Sequence, residues 1–193
     1  MPSCKKCGAY TKYNNGYCAS CFKPREIGLS KREHKFKEDM IKGRIAEALI
    51  EELFLTLGFS VFRYGMENTV PGIMKLLRRD SEAAENIRRM PDFVIQVNDG
   101  ENKGKIYFIE VKFRKNEEFS IKDVDKEYPY KDCYFIVVSK KHIKCISLEE
   151  LKRGEVVSPT STNYYLGNRK EFELNKEVII NFCDFAVKFF KNV

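Results

Sequence analysis

The chain is short of the parts that many enzyme mechanisms need. It holds only two histidines, His34 and His142, and neither has a thiol partner placed for cysteine–histidine catalysis, so each reads most simply as a surface residue. A GxSxG elbow and a phosphate-cradling glycine loop are both missing, which leaves the serine-hydrolase and P-loop classes without their signatures. No apolar run reaches the length that spans a bilayer, so no membrane partner is expected. The stretch Met1 to Cys7 is polar and lacks the apolar centre of a secretory leader, which predicts a cytoplasmic protein. Internal repeats and low-complexity tracts are absent as well.

What is present suits a folded, basic protein. The 193 residues allow one medium domain and a small appendage. An apolar fraction of 43%, with 15 Phe and 10 Tyr, supports a real core. Lys and Arg number 35 against 28 acids, a net charge of +7. That excess suits a nucleic-acid partner, and equally a merely soluble basic surface.

Four of the seven cysteines form two CxxC pairs, Cys4–Cys7 and Cys18–Cys21, with ten residues between the pairs. In a reducing compartment such spacing points to metal rather than disulfides, and thiolates suit Zn²⁺. Gly8 permits a tight turn after the first pair, and Asn15-Gly16 between Tyr13 and Tyr17 reads as a hairpin turn. Residues 1–22 are therefore expected to be a small zinc ribbon whose folding energy comes from the metal, because so short a segment cannot build a core. The remaining cysteines, Cys133, Cys145 and Cys183, have no ligand spacing and read as core or boundary thiols.

A linker over 23–32, with Pro24 and Gly28, leads to a main domain over 33–193. Ser30 and Glu33 form a capping box for a long helix ending near Leu57-Gly58. Met40, Gly43, Glu47, Ile50 and Phe54 share one face of it, with Glu47 the acid on an apolar stripe and Gly43 one turn earlier, where close packing would explain a glycine. Glu47 reads either as a site carboxylate or as a boundary residue that escapes to water. Phe59–Tyr64 is a first strand, and Gly65–Met90 an insertion. Arg78, Arg79, Arg88 and Arg89 of that insertion suit phosphate contacts or a solvated helix face, and Glu67 is a further acid there.

The stretch Pro91 to Lys112 organises the rest. Two strand-like runs, Pro91–Ile95 and Ile106–Lys112, flank turn signals at Asn98-Asp99-Gly100 and Lys103-Gly104, which predicts a β-hairpin. Glu110 and Lys112 stand two apart and share a strand face, while Ile109, Val111 and Phe113 take the other. Charges inside such a strand are costly unless paired or metal-bound. With Asp92 they make two carboxylates and one amine, a set suited to a divalent cation and an activated water. Arg114 and Lys115 extend a basic edge. A short helix over Ser120–Glu127 is expected next, then a doubly buried strand Cys133–Ser139, a strand Ile143–Ser147, a helical turn Leu148–Lys152, and a polar loop 154–168. The final helix, about Asn175–Phe190, carries Ile179, Phe182, Ala186 and Phe189 as its apolar stripe, covering the sheet or meeting a second copy.

Helix, strand, insertion, hairpin, short helix and strand, with Glu47, Pro91-Asp92 and Glu110-Val111-Lys112 in place, resemble the PD-(D/E)xK nuclease superfamily. The stretches Lys42–Glu47 and Ile109–Arg114 are similar to archaeal Holliday-junction resolvases, and the likeness covers roughly residues 33–140. It implies an α/β restriction-endonuclease-like core, a mixed central sheet flanked by helices, here with the N-terminal ribbon added. It also implies a Mg²⁺- or Mn²⁺-dependent phosphodiester hydrolase with Asp92, Glu110, the Val111 carbonyl and Glu47 as ligands. Lys112 would orient or deprotonate the water. DNA is the expected substrate, with RNA left open, and symmetric cutting of two strands would suit a homodimer. Two other readings stand beside it: a non-catalytic nucleic-acid-binding module on the same fold, and a zinc-dependent scaffold acting through residues 1–22.

Overall fold

The computed structural model describes residues 3–12, 16–18, 20–21, 30–65, 81–172 and 174–191. Tyr13, Asn15, most of the expected linker, Glu67, Arg78 and Arg79 lie outside the described residues. The chain divides into two units, 1–38 and 39–193, and the division falls inside the first helix. No helix among the described residues is long and apolar enough to cross a membrane.

Among its described residues, the first unit is built on backbone turns. Ser3 and Tyr10 form an antiparallel bridge. Within it the Cys4 N–H donates to the Ala9 carbonyl at 2.7 Å and the Gly8 N–H to the Cys4 carbonyl at 2.9 Å. Gly8 has φ +75°, the left-handed turn that favours glycine. Ser30 and Glu33 form the expected reciprocal cap: the Ser30 N–H donates to Glu33 Oε2 at 2.9 Å, and the Glu33 N–H donates to Ser30 Oγ at 3.2 Å. They open helix α1, Lys31–Thr56. Residues 31–41 of α1 are exposed, and its buried positions begin at Ala46.

In the second unit α1 ends at Gly58, whose φ of +86° stops the helix, and strand β1, Ser60–Arg63, follows. Helix α2, Glu82–Arg88, lies in the insertion and is capped by Ser81, whose Oγ accepts from the Ala84 N–H. Then come β2, Phe93–Gln96, and β3, Ile106–Phe113, paired antiparallel as the hairpin reading requires. A single 3₁₀ turn, Ile121–Asp123, replaces the longer helix expected over Ser120–Glu127. Asp123 closes a capping box on Ser120, but the backbone returns to an extended conformation at Val124. Strands β4, Cys133–Val138, and β5, Ile143–Ser147, complete the sheet, followed by α3, Leu148–Lys152, two further 3₁₀ turns, and α4, Lys176–Phe190. The sheet runs β1-β2-β3-β4-β5, with β3 and β4 parallel and every other pair antiparallel.

Strand alternation separates two cores. Ile95, Ile109, Val111, Ile136 and Val138 face α1 and α4, meeting Leu49, Ile50, Leu53 and Phe54 of the one and Ile179, Phe182, Ala186 and Phe190 of the other. Cys133, Phe135, Val137 and Ile146 face the opposite way, against Phe119, Leu148, Leu151 and Tyr164. β4 is thus buried on both faces, as its apolar run predicts. Two expectations change. Phe190, not Phe189, completes the α4 stripe; both satisfy helical spacing, but Phe190 sits 4.4 Å from the Phe113 ring while Phe189 is exposed. On α1 the face tilts away from Met40 and Gly43. Met40 is exposed, and a Cβ at Gly43 would meet nothing within 4 Å, so close packing does not explain that glycine.

The crossover from β3 to β4 is pinned by buried charge. Lys144 on β5 is fully buried, and its Nζ lies 2.9 Å from Glu117 Oε2 and donates to the Ser158 carbonyl at 2.6 Å. Ser139 Oγ also donates to Glu117, and His142 Nδ1 lies 3.0 Å from the same carboxylate. His142 keeps 37% of its side chain exposed, so it is a surface residue that also faces this carboxylate. Glu117 itself takes φ 58°, a left-handed conformation that a glutamate adopts only when its surroundings hold it there.

Candidate functional site

Register brings the hairpin charges together. Arg63 pairs with Phe93 and Phe93 with Ile109, so one step along, Tyr64, Asp92 and Glu110 lie in a row across three strands. The Tyr64 N–H donates to the Asp92 carbonyl at 3.0 Å. Asp92 is buried, and its Oδ2 accepts the Val111 N–H at 2.7 Å. Glu110 Oε1 accepts from Lys112 Nζ at 2.5 Å. Glu110 Oε2 is buried with no hydrogen-bond partner among the described residues. A buried carboxylate oxygen left without a donor is costly, and a hard cation is the partner such an oxygen suits.

The electrostatics follow from that crowding. Burial, together with the charges of Glu110 and Glu47, raises the Asp92 carboxyl well above the ordinary carboxylate range. Burial alone would lower the Lys112 ammonium, but the Glu110 and Asp92 carboxylates outweigh it and hold Lys112 above its usual value. Lys112 is therefore a cation at neutral pH, better suited to stabilising charge than to taking a proton. Glu47 is half-buried on α1, close enough to act electrostatically on Asp92. The carboxylates of Glu47, Asp92 and Glu110 do not, however, converge within 4.8 Å as a set; among the described residues only the four cysteines do so.

Beside Glu110 and Lys112 opens a cavity of about 240 Å³, also lined by Arg88, Arg89, Asp125 and Tyr128. The expected phosphate-binding arginines behave differently there. Arg88 is exposed, and its Nε donates to the Ala84 carbonyl. Arg89 is committed to Asp125 at 3.2 Å and Glu127 at 2.9 Å, tying α2 to the crossover instead of facing outward. Arg114 is half-buried over the Phe119 ring and 3.5 Å from Asp123, whereas Lys115 is exposed.

The cysteine cluster is the better-formed candidate metal centre. The Sγ atoms of Cys4, Cys7, Cys18 and Cys21 lie within 4.8 Å of one another. A tetrahedron with Zn–S bonds of about 2.3 Å has sulfur–sulfur edges of about 3.8 Å. The Cys7–Cys18 separation is 3.7 Å, near that edge and far too long for a disulfide. Backbone N–H groups of Cys18, Cys7 and Lys6 lower the Cys4 thiol to about 6. Hydrogen bonds with Cys7 and Cys18 push Cys21 up to about 12. The set is compatible with a metal such as zinc.

Protein-family models, curated proteins and solved structures were all compared with the chain, and none matches. Fold and sites together define a mixed α/β protein, with a five-stranded sheet and a four-cysteine cluster near its N-terminus.

The sequence reading missed an aromatic cluster on the Glu110 face of the sheet. Tyr64, Phe108 and Tyr130 touch one another with ring centroids 4.8–6.0 Å apart, and Tyr128 joins Tyr130 at 5.6 Å. The signal available was alternation: Phe62 on β1 and Tyr64 just past its end share a face, and the register then sets that face beside Glu110.

Proposed function

We propose that the protein is a metal-dependent DNA nuclease, with Asp92, Glu110 and Lys112 as the reacting set and Glu47 supporting it. The observation that carries this reading is the buried Oε2 of Glu110, without a hydrogen-bond partner among the described residues, beside buried Asp92 and cationic Lys112. The element order also supports it, because a helix, a hairpin and a parallel strand after a crossover are what a restriction-endonuclease-like core requires. Mg²⁺ or Mn²⁺ bound by Asp92 and Glu110 would supply an acidified water and neutralise charge on the phosphate. Lys112 then holds its ammonium toward the phosphate oxygens. Val111 fixes Asp92 through its N–H, so the aspartate has one oxygen committed to the strand and one left for a ligand. Zn²⁺ at Cys4, Cys7, Cys18 and Cys21 would hold the N-terminal unit together for a structural or DNA-gripping role. Reduced CxxC pairs favour a cytoplasmic setting, and the exposed Ile180, Phe185 and Phe189 of α4 offer apolar surface to a second copy.

A second reading has its own observation. Glu110 already pairs with Lys112, and the three carboxylates do not converge as a set, which suits a binding module that keeps the fold without the chemistry. Incubation of labelled duplex, flap and branched DNA with Mg²⁺ or EDTA separates the two. Cleavage that needs the metal and is lost in Asp92→Ala supports the nuclease. Undiminished cutting by Asp92→Ala sinks the assignment, and tight binding with no cutting selects the binding module.

A further inference from the structure

The geometry points to Tyr64 as a stacking platform for an unpaired nucleotide of the DNA substrate, next to the phosphate to be cut. This rests on the nuclease reading and narrows its substrate to DNA with an unpaired base at the cleavage point. Tyr64 stands in the same cross-sheet row as Asp92 and Glu110, and its backbone is bonded to Asp92. Neighbouring strands lie about 4.8 Å apart, so β1 is about 10 Å from Glu110, a one- or two-nucleotide reach. The ring is braced edge-on by Tyr130 at 88° and by Phe108 at 5.9 Å, yet remains 40% exposed. A ring held by its neighbours and open to solvent has lost little entropy by being ready, and every base has a π-face to place on it. Phe62, two residues earlier on the same face, is 56% exposed and offers a place for a second base. A stacked duplex presents base edges rather than faces, so fully paired DNA cannot use this platform. Lys112, paired with Glu110, supplies positive charge at the end of the row for the backbone.

The test uses the full chain and two DNAs of one sequence, one fully paired and one with an unpaired 2-aminopurine beside the cleavable position. Binding is measured in EDTA and cleavage in Mg²⁺, for wild type, Tyr64→Phe, Tyr64→Leu and Tyr64→Ala. The expected result is a preference of about tenfold for the unpaired DNA, the scale of one base–aromatic contact, with 2-aminopurine fluorescence quenched. Tyr64→Phe retains both effects. Tyr64→Leu, which keeps apolar bulk in the strand, loses both, as does Tyr64→Ala. Equal preference in wild type and Tyr64→Leu, or unquenched fluorescence in wild type, overturns the platform. If cleavage occurs but ignores Tyr64, the nuclease reading survives and the platform falls. If Tyr64-dependent binding occurs without cleavage, the platform survives and the catalytic reading falls.

Discussion

The thiol cluster and the carboxylate row show two ways of gathering metal-type ligands. Four thiols crowd to within 4.8 Å of one another near the N-terminus, while Glu47 on α1 and Glu110 on β3 act on Asp92 without the three converging. The difference is one of charge. Backbone N–H groups of Cys18, Cys7 and Lys6 face Cys4 and lower its thiol to about 6, so the negative charge gathered there has donors built around it. Two carboxylates 4 Å apart repel by about 4 kcal/mol at an effective dielectric of 20, so something positive must stand among them. Lys112 does this for one oxygen of Glu110, and the other has no donor among the described residues. Among its described residues the thiol unit contributes none to an apolar cluster, whereas the carboxylate row belongs to a sheet with an apolar cluster on each face. Under the proposed function, the first site should depend on its metal for structure, and the second only for chemistry.

That contrast can be broken in several places. The largest effect should come from stripping zinc or from Cys4→Ser. Structural zinc in small domains is worth roughly 10 kcal/mol or more, so residues 3–21 should lose amide protection while the sheet keeps its own. Hydrogen exchange with and without a chelator reads this out, and loss of protection in β3 and β4 as well would refute independence of the two sites. Next, Glu110→Gln should cut Mg²⁺-dependent cleavage about a thousandfold while leaving Tm near the wild-type value, since the fold does not need that charge. Collapse of the fold instead would make Glu110 a structural residue.

Glu117→Gln tests a carboxylate that is structural. It leaves the Lys144 ammonium buried and short of its counter-charge, and should cost about 3–5 kcal/mol in urea unfolding with Zn²⁺ content unchanged. Burial alone would raise the Glu117 carboxyl, but hydrogen bonds from Lys144 and His142 outweigh it and hold it below the ordinary range. Its contribution is thus present above the unfolded glutamate value of about 4.3 and disappears as pH falls through the lower folded value. A titration of Tm downward from pH 6 should show a loss in wild type that Glu117→Gln lacks. The smallest effect belongs to Gly43→Ala. With open space at that position and ordinary helix geometry, alanine should add about 0.5–1 kcal/mol. If cleavage falls while stability rises, the bare backbone one turn before Glu47 is kept for the substrate; if both rise together, it is not.

Much of the site was legible because it is local. The Asp92–Lys112 hairpin follows from alternation and turn residues, and Ser30 with Glu33 caps α1 through a three-residue offset that needs no tertiary contact. Other choices were not local. Phe189 and Phe190 both obey helical spacing, and only the Phe113 ring selects between them. Arg89 looks like any exposed cation until the crossover delivers Asp125 and Glu127 to it. His142 and Lys144 gain their meaning from Glu117, more than twenty residues away in sequence.

By itself the sequence determined the spacing-bound features: the paired cysteines, the period-two strand bearing Glu110 and Lys112, and the helix that carries Glu47. These depend on a few neighbouring residues and on fixed backbone periods. Tertiary structure alone decided that β1 lies beside β2 and β4 beside β3, and so placed Tyr64 in line with Asp92 and Glu110 and left one oxygen of Glu110 buried without a donor among the described residues. Registry across a sheet is set by which faces can be buried together, and that is a property of the assembled layers, not of any one strand.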